Sequence, residues 1–319
     1  MNKQQITWQL IVASLDHKIP VVLLYVMESK DSSPGRNGFF MVVTGDGQMS
    51  GSIGGGIMEH KFVELAKDQI RRKVGGSLII NQVHDKKSIN QSGMICSGEQ
   101  TVLLYSVQPS DQSAVIKIIQ CLSENRRGQV HLSCSGINFS ETIEQEYYHY
   151  KDQHDWKYFK TIGFSDTIYI IGGGHCSLAL SALLNTLDFF ITVFDDRDDL
   201  HTMTLNEHAH KLIVVKNYEE LDKIIPEGDN VYVVVMTFGY RSDDIALRAL
   251  MYKEFKYLGV LGSHAKITKM FSLYKEEGIS KNVLEKIQAP VGISIHSQTP
   301  EEIAVSIAAE MISVRREIS

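Results

Sequence analysis

The sequence predicts an α/β protein in which a smaller α+β domain precedes a doubly wound parallel sheet. Its 319 residues suit two domains, because domains average roughly 100 to 200 residues. In the second half, short apolar strands alternate with amphipathic helices, as in parallel sheets covered on both faces. Two glycine-rich segments, 51–56 and 172–174, each lie between a predicted strand and a predicted helix. We therefore assign residues 1–110 to the first domain, 111–160 to a connecting segment and 161–319 to the second domain.

Composition and charge exclude several classes of protein. The chain carries 32 basic and 38 acidic side chains, for a net charge of −6, and its short basic runs are isolated, so we expect no nucleic-acid or anionic-membrane partner. The longest apolar runs, 19–27 and 231–238, are shorter than the roughly 18 to 20 residues that span a bilayer. Residues 1–18 form a helical stripe rather than a secretory signal. We therefore expect a cytoplasmic protein without a membrane span.

The first domain is predicted to place strands on either side of the first glycine-rich segment. The run 20–28 is β-branched and aliphatic and follows a proline, which indicates a buried strand. Residues 39–43 form a second strand that enters a tight turn at 45–47, where glycines supply positive φ. After residue 56, apolar residues at helical spacing predict a helix to about Lys73. Further elements are expected as strands at 78–83 and 101–107 and, in the connecting segment, a helix at 113–122.

The second domain is predicted as a regular alternation of strands and helices. Strands are expected at 167–171, 190–194, 212–215, 231–236 and 257–261, with helices at 178–187, 218–225, 243–255 and 265–277. A last helix begins with Thr299, Pro300 and Glu302, which form the sequence of a capping box, and its apolar stripe predicts that it packs against the sheet domain.

The segment Gly172-Gly-Gly174-His175-Cys-Ser177 resembles a dinucleotide-binding loop with serine at its third position. It follows a strand and opens a helix, and Asp195 ends the next strand about 20 residues later, where such loops place an acid for ribose hydroxyls. This context predicts a Rossmann-like domain in which backbone amides meet a phosphate. The alternative is that Gly172 and Gly174 only permit a tight turn.

A second candidate site is the loop 51–56 with the helix that follows it. Consecutive glycines leave amide groups free to bind an anion and let a large ligand approach, so Gly54, Gly55 and Gly56 are candidate cofactor-binding residues. Ser52 adds a donor, and Glu59 either contacts an amine-bearing ring or caps the helix. The alternative is a flexible turn.

The four cysteines are too sparse for a disulfide framework or a paired-cysteine zinc site, so we expect reduced thiols. Cys96, in a turn between strands, is a candidate soft metal ligand or sulfur carrier, although a lone cysteine is more often an inert apolar residue. Cys176 beside His175 is better explained by core packing.

Strand ends in the second domain supply further candidates. Thr237 and Arg241 follow one strand and Ser263 follows the next, at the sheet edge where ligands of open α/β sheets bind. Arg241 suits a phosphate, and Ser263 suits either a ligand or the cap of the next helix. A structural role in the turn is the alternative for each residue. No resident metal site is expected, because the histidines at 201, 208 and 210 have no partners at metal-ligand spacing. No catalytic residue set is recognisable.

Together these segments resemble the xanthine dehydrogenase accessory factor family, the XdhC/CoxI group. The matching residues are Ser32–Pro34, Gly51–Gly56, Glu59, Cys96, Gly98, Ile170–His175, Phe194–Arg197, Val235–Thr237, Asp243, Leu247, Leu258–Ser263, Ala289–Gly292 and Thr299–Ala304. The resemblance covers nearly all of the chain outside 111–160. This chain departs from it at Ile57, where a cysteine is frequent, at Phe238 and Tyr240, where histidines are frequent, and at His264, where arginine is usual.

The resemblance implies an α+β domain joined to a Rossmann-like domain, often in a homodimer. It also implies that the chain binds molybdenum cofactor (molybdopterin), assists its sulfuration with a sulfur donor protein, and hands it to a molybdoenzyme of the xanthine dehydrogenase type. The loss of a thiol at Ile57 leaves Cys96 as the soft donor. Two other functions stay open: an NAD(P)-dependent oxidoreductase that uses Gly172 to Asp195, and a regulatory or docking module with a vestigial crevice.

Overall fold

The computed structural model describes residues 3–31, 33–83 and 98–316, which form two compact units. The first comprises Met1–Gly163 and the second Phe164–Ser319. The predicted α/β class and the doubly wound parallel sheet are confirmed. The first unit is not the smaller one, since it holds 163 of the 319 residues.

The described residues of the first unit form two antiparallel sheets and three α-helices. Its helices are α1 (Lys3–Asp16), α2 (Gly56–Arg71) and α3 (Gln112–Ser123). The five-stranded sheet has the order β3-β2-β1-β5-β4, with β1 (Val21–Asp31), β2 (Phe40–Thr44), β3 (Met49–Gly51), β4 (Ser77–Val83) and β5 (Gly98–Ser106). The four-stranded sheet has the order β7-β6-β9-β8, with β6 (Gly128–Ser133), β7 (Gly136–Ser140), β8 (Tyr147–Asp152) and β9 (Asp155–Ile162).

Strand β1 is apolar over most of its length because both faces of its sheet are covered. Side chains alternate between the faces of a strand, so Val22, Leu24 and Val26 pack with α2 in one core. Leu23 and Tyr25 face the other core, which α1, α3 and the four-stranded sheet complete. A continuous apolar run therefore marks a central strand between two layers.

The assignment of 111–160 to a connecting segment was wrong. This segment forms α3 and the four-stranded sheet, and Trp156, Tyr158 and Ile162 of β9 are buried in the same core as β1. The polar residues that suggested a linker are the outward-facing positions of strands that are buried on one face only. The two compact units divide at Gly163 and Phe164 instead.

The second unit is a six-stranded parallel sheet with helices on both faces. Its strands, in the order β12-β11-β10-β13-β14-β15, are β10 (Asp166–Ile171), β11 (Phe189–Asp195), β12 (Lys211–Val214), β13 (Gly228–Val235), β14 (Phe255–Val260) and β15 (Ile287–Gln288). Its helices are α4 (His175–Asn185), α5 (His201–Thr204), α6 (Leu221–Ile224), α7 (Tyr240–Leu250), α8 (His264–Glu276), α9 (Lys281–Glu285) and α10 (Pro300–Arg316). Counted within the unit, the strand order is 3-2-1-4-5-6, the order of dinucleotide-binding Rossmann domains.

The sheet separates two cores. Helices α4 and α10 cover one face, and α7 and α8 cover the other.

The capping box predicted for α10 is confirmed, since the Glu302 amide donates to Thr299 Oγ1 at 3.2 Å and the Thr299 amide donates to Glu302 Oε2 at 3.2 Å. The helix predicted at 218–225 is a 3-10 turn followed by the short α6. Within the described ranges, no helix combines the length and apolarity needed to cross a membrane.

If residues 111–160 belong to the core of the first unit, truncation of the Trp156 side chain must lower the stability of that unit. We expect Trp156→Ala to lower the free energy of unfolding of the first unit by about 3 to 5 kcal/mol, because it empties a buried indole site. Urea unfolding followed by the fluorescence of Trp8, which lies in the same core, measures this. Tyr147→Ala, at a 48% exposed position on β8 of the same sheet, is the control and should cost less than about 1 kcal/mol. Equal, small losses for both variants would contradict this assignment.

Candidate functional site

The loops after β10 and β13 meet at the carboxyl edge of the parallel sheet. Strands β10 and β13 are neighbours in the sheet, with Ile171 opposite Val235. The next strand along the chain lies on the other side of each of them, β11 beside β10 and β14 beside β13. Gly172 has φ +110°, and a Cβ there would lie 2.3 Å from the Met236 carbonyl oxygen. Only glycine permits this approach. The two loops therefore flank the switch point at which open α/β sheets bind ligands.

The first turn of α4 offers uncapped backbone donors at this edge. Gly174 is the N-cap residue, and within the described residues no side chain caps the amides of the first turn. A Cβ at Gly174 would meet nothing within 4 Å, so the approach to these amides is open. Ser177 Oγ, in the same turn, is buried and has no hydrogen-bond partner among the residues that the structure describes. Because the dipole of α4 also favours negative charge, this end of the helix is suited to an anion.

Asp195 is built into the scaffold of this edge rather than presented to solvent. Its side chain is fully buried, and Oδ2 accepts from the Gly173 amide at 2.7 Å. The Arg197 guanidinium binds it in a bidentate manner, with Nε donating to Oδ1 at 2.8 Å and Nη2 donating to Oδ2 at 2.9 Å. The Arg197 amide also donates to Oδ1 at 3.0 Å. A ribose contact through Asp195 would have to displace these bonds.

The hydrogen bonds to Asp195 also set its protonation state. Burial alone would raise its pKa, but the bonds from Arg197 and from the Gly173 amide outweigh burial and lower the pKa below the usual range. Asp195 is thus a charged structural residue. Sequence spacing fitted a ribose-binding acid, and the pairing with Arg197 two residues later was missed.

A second buried carboxylate organises the loop after β13. Asp243 Oδ1 accepts from the Thr237 amide at 2.9 Å and from Thr237 Oγ1 at 2.7 Å. Lys266 Nζ binds the other oxygen of Asp243 and donates to the Leu261 carbonyl at 3.2 Å. Thr237 therefore holds the loop in place. Asp243, one of the residues of the family resemblance, and Lys266 thus belong to this edge, although their spacing in the sequence does not indicate it.

The remaining candidates at the carboxyl edge of the sheet, called the rim below, are one helix cap and two exposed side chains. Ser263 Oγ accepts from the Lys266 amide at 3.3 Å and so caps α8, one of the two roles expected for it. His175 and Arg241 are exposed in the first turns of α4 and α7. In the part of the chain that the structure describes, Arg241 makes no ion pair or side-chain hydrogen bond. Its guanidinium is available to a ligand.

The first unit's glycine loop is already occupied by a carboxylate of its own. Glu59 Oε2 accepts from Ser52 Oγ at 2.7 Å, from the Ile53 amide at 2.9 Å and from the Gly55 amide at 3.1 Å. The Gly54 amide donates to Ser52 Oγ at 3.1 Å. The donors expected to bind an external anion therefore hold Glu59 instead.

The three consecutive glycines of this loop, Gly54, Gly55 and Gly56, serve different purposes. Gly54 has φ +126°, and a Cβ there would lie 2.4 Å from the Gly35 nitrogen, so it is fixed by close backbone contact. Gly55 and Gly56 also have positive φ, but a Cβ at either would meet nothing within 4 Å. Buried Gln100 ties the loop to β5 by donating from Nε2 to the Ile53 carbonyl at 2.9 Å. The loop is a fixed turn that is open on the side of Gly55 and Gly56.

Neither the buried thiol of Cys121 nor the half-buried thiol of Cys176 is activated. Burial, together with the charge of Glu301, raises the pKa of Cys176, and burial raises that of Cys121. Cys96, the thiol singled out by sequence, lies outside the described residues. Ile57, at the position where the family often has cysteine, is 61% exposed at the start of α2. Among the residues described, no cluster of three or more potential ligands is positioned to hold a metal ion.

Comparison with known families identifies both units. Residues 14–79 match the XdhC and CoxI family, and residues 168–311 match the XdhC Rossmann domain. A protein of Escherichia coli described as uncharacterized protein YqeB is 21% identical over 300 residues, which cover 94% of this chain and 44% of YqeB. A Bacillus subtilis protein described as a probable subunit of xanthine dehydrogenase is 27% identical over 170 residues, which cover 53% of this chain and 48% of that protein. The chain thus spans about half the length of these relatives.

A solved structure shares the fold along nearly the whole chain. It is a Bacillus halodurans protein described as a xanthine dehydrogenase, with a TM-score of 0.72 at 22% identity. The match covers 99% of this chain and 96% of that one.

Glu59 can be tested as the internal anion of the first loop. We expect Glu59→Ala to lower the free energy of unfolding of the first unit by about 1 to 3 kcal/mol, because three donors lose their acceptor. Urea unfolding followed by tryptophan fluorescence reports this unit, since Trp8 and Trp156 both lie in it. Glu64→Ala, on an exposed part of α2, should cost less than about 0.5 kcal/mol. A loss at Glu59 no larger than that at Glu64 would contradict this role.

Asp195 can be tested by the pH dependence of stability. A carboxylate whose pKa is lowered on folding stabilises the protein above its unfolded pKa, about 4, and loses that contribution as pH falls through the folded pKa. We therefore expect Asp195→Asn to be less stable than the wild type at pH 7, with the difference shrinking below about pH 4. Thermal unfolding followed by circular dichroism between pH 3 and 7 measures it. Asp198→Asn, at an exposed position, is the control; a difference for Asp195→Asn that does not change with pH would refute the assignment.

Proposed function

The chain belongs to the XdhC and CoxI family, and from this premise we propose that it is an accessory protein of a xanthine dehydrogenase system. In this proposal it binds molybdenum cofactor, assists its sulfuration and delivers it to a molybdoenzyme of the xanthine dehydrogenase type, as a cytoplasmic homodimer. The descriptions of two matched proteins, a probable subunit of xanthine dehydrogenase and a xanthine dehydrogenase, support a link to that class of enzyme.

The observation that carries the proposal is the open anion site at the rim of the Rossmann unit. The cofactor is a pterin that carries a phosphate, so its protein site needs donors for negative charge. The uncapped amides at the start of α4 supply such donors, and the buried, unpartnered Ser177 hydroxyl lies in the same turn. Arg241, exposed at the start of helix α7, adds a guanidinium suited to phosphate oxygens.

The residues present fit the phosphate of the cofactor better than its metal. When bound, the cofactor supplies the redox centre that the client enzyme uses. The buried thiols of the described ranges are poor molybdenum ligands or sulfur carriers, because burial raises the pKa of Cys121 and Cys176. Sulfur handling in this proposal therefore falls to Cys96, to the exposed Cys134 or to a separate sulfur donor protein.

The charged groups of the rim favour a carrier over a catalyst. Asp195 and Asp243 are buried and fully used in holding loops, and Lys266 is paired with Asp243. General acid or base catalysis needs a group that can exchange a proton with substrate. The same constraint weakens the case for an NAD(P)-dependent oxidoreductase, because the acid expected for the ribose is bound to Arg197.

Cofactor binding through the phosphate predicts a specific effect of Arg241. We expect Arg241→Ala to weaken binding of molybdenum cofactor about tenfold, since a charge-assisted hydrogen bond is lost. Anaerobic titration in reducing buffer, followed by ligand absorbance, measures the affinity. Arg127→Ala removes the same charge from an exposed arginine in the first unit and should leave the affinity unchanged. The absence of saturable binding by the wild type would refute the proposal, and equal losses in both variants would refute the role of Arg241.

A further inference from the structure

Phe238 is the most solvent-exposed large apolar side chain in the described part of the molecule. It is 90% exposed, whereas the next, Tyr252, is 66% exposed. It lies in the loop between β13 and α7, at the sheet edge where the candidate ligand site is located. A phenylalanine that contributes nothing to the core and lies at a binding edge is more readily explained by a ligand than by folding.

A fixed guanidinium lies against this exposed ring. The Arg197 Cζ atom is 5.6 Å from the centroid of Phe238, within the range of cation–π contacts. Both guanidinium donors that face Asp195 are used in the bidentate pair, which prevents the group from rotating away. Arg197 is nevertheless 37% exposed, so part of its plane remains accessible. The guanidinium thus lies over one face of the Phe238 ring, and the 90% exposure of Phe238 leaves a flat aromatic surface open to a ligand.

This surface is close to the anion site of α4 in the same unit. Asp195, which holds Arg197, also accepts the Gly173 amide at 2.7 Å, one residue before the N-cap of α4. A Cβ at Gly239, which follows Phe238, would meet nothing within 4 Å, so the loop leaves space beside the ring. A flat surface and a phosphate site are therefore combined at one edge of the sheet.

We propose that Phe238 and Arg197 form a stacking platform for a flat heteroaromatic ring whose attached phosphate binds at the start of α4. Stacking on an aromatic face tolerates many rings, because each has a π-face, and a guanidinium plane stacks in the same manner. The ligand chemistry is a ring joined to a phosphate, supplied either by a pterin phosphate or by a purine nucleotide. The pterin source rests on the proposed function; the nucleotide source does not.

The test compares ligands with and without a ring on the full chain. Calorimetric titrations use a pterin phosphate, ADP and pyrophosphate as probes. We expect at least one ring-bearing probe to bind more tightly than pyrophosphate. Phe238→Ala should weaken that probe about tenfold and leave pyrophosphate unchanged, whereas Phe238→Trp should retain the affinity.

Tyr252→Ala is the matched control. Tyr252 is also exposed, but it follows the other end of α7, away from the carboxyl edge of the sheet. Its removal should leave the affinity of every probe unchanged. Because both side chains lie outside the core, neither substitution is expected to unfold the protein.

The outcomes separate this inference from the proposed function. If ADP binds through Phe238 and the pterin phosphate does not bind, the platform stands and the pterin-binding function fails. If the pterin phosphate binds and Phe238→Ala has no effect, the function stands and the platform fails. The platform also fails if no ring-bearing probe binds more tightly than pyrophosphate.

Discussion

A single buried carboxylate, Asp195, connects the parts of the Rossmann unit on which its binding edge depends. It fixes the glycine loop through the Gly173 amide, and it fixes Arg197 through two parallel hydrogen bonds. A buried charge is stable only when its partners are complete, and removing one partner of such a pair typically costs about 3 to 5 kcal/mol. The loop that leads into α4 and the guanidinium beside Phe238 thus share one electrostatic support. A change at Asp195 reaches both the phosphate site and the proposed ring platform.

The glycine loop of the first unit uses the same physical principle. Its amides converge on an oxygen of Glu59 from the helix that the loop itself opens. A glycine-rich loop before a helix is therefore not in itself a free anion site, because the chain can supply the anion. In each unit the decisive question is which amides remain without a partner. By that criterion, within the described residues, the uncapped first turn of α4 is a stronger candidate for ligand binding than the glycine loop of the first unit.

Sequence reasoning recovered the elements whose burial is nearly complete. The strands β10, β11 and β13 are covered on both faces, so they appear as continuous apolar runs, and their alternation with helices predicted the doubly wound sheet. Strands β6 to β9 were missed because they are only partly buried, and β8 has no fully buried residue. In β9 the buried residues Trp156, Tyr158 and Ile162 lie at even spacing among more exposed ones, and this period of two was the signal available.

The site was less predictable than the fold because the spacing of residues in the sequence does not reveal which hydrogen-bond partners compete for the same group. Asp195 lies where a ribose-binding acid is expected, but Arg197 satisfies the same oxygens. The exposure of Phe238 is likewise a property of the folded loop, since phenylalanine in a sequence normally predicts burial.

Binding at this edge must rely on short-range contacts. The chain carries a net charge of −6, so it offers no general attraction to a phosphate ligand. The two buried acids of this edge, Asp195 and Asp243, have their charges compensated by Arg197 and Lys266, which keeps them from repelling an anion. What faces a ligand is then the set of groups left over: the amides at the start of α4, the Arg241 guanidinium and the Phe238 ring. These groups can hold a phosphate and a flat ring, and the exposed His175 imidazole lies with them in the first turn of α4. The scaffold thus uses the buried carboxylates of this edge and leaves the groups through which the proposed function would bind its ligand.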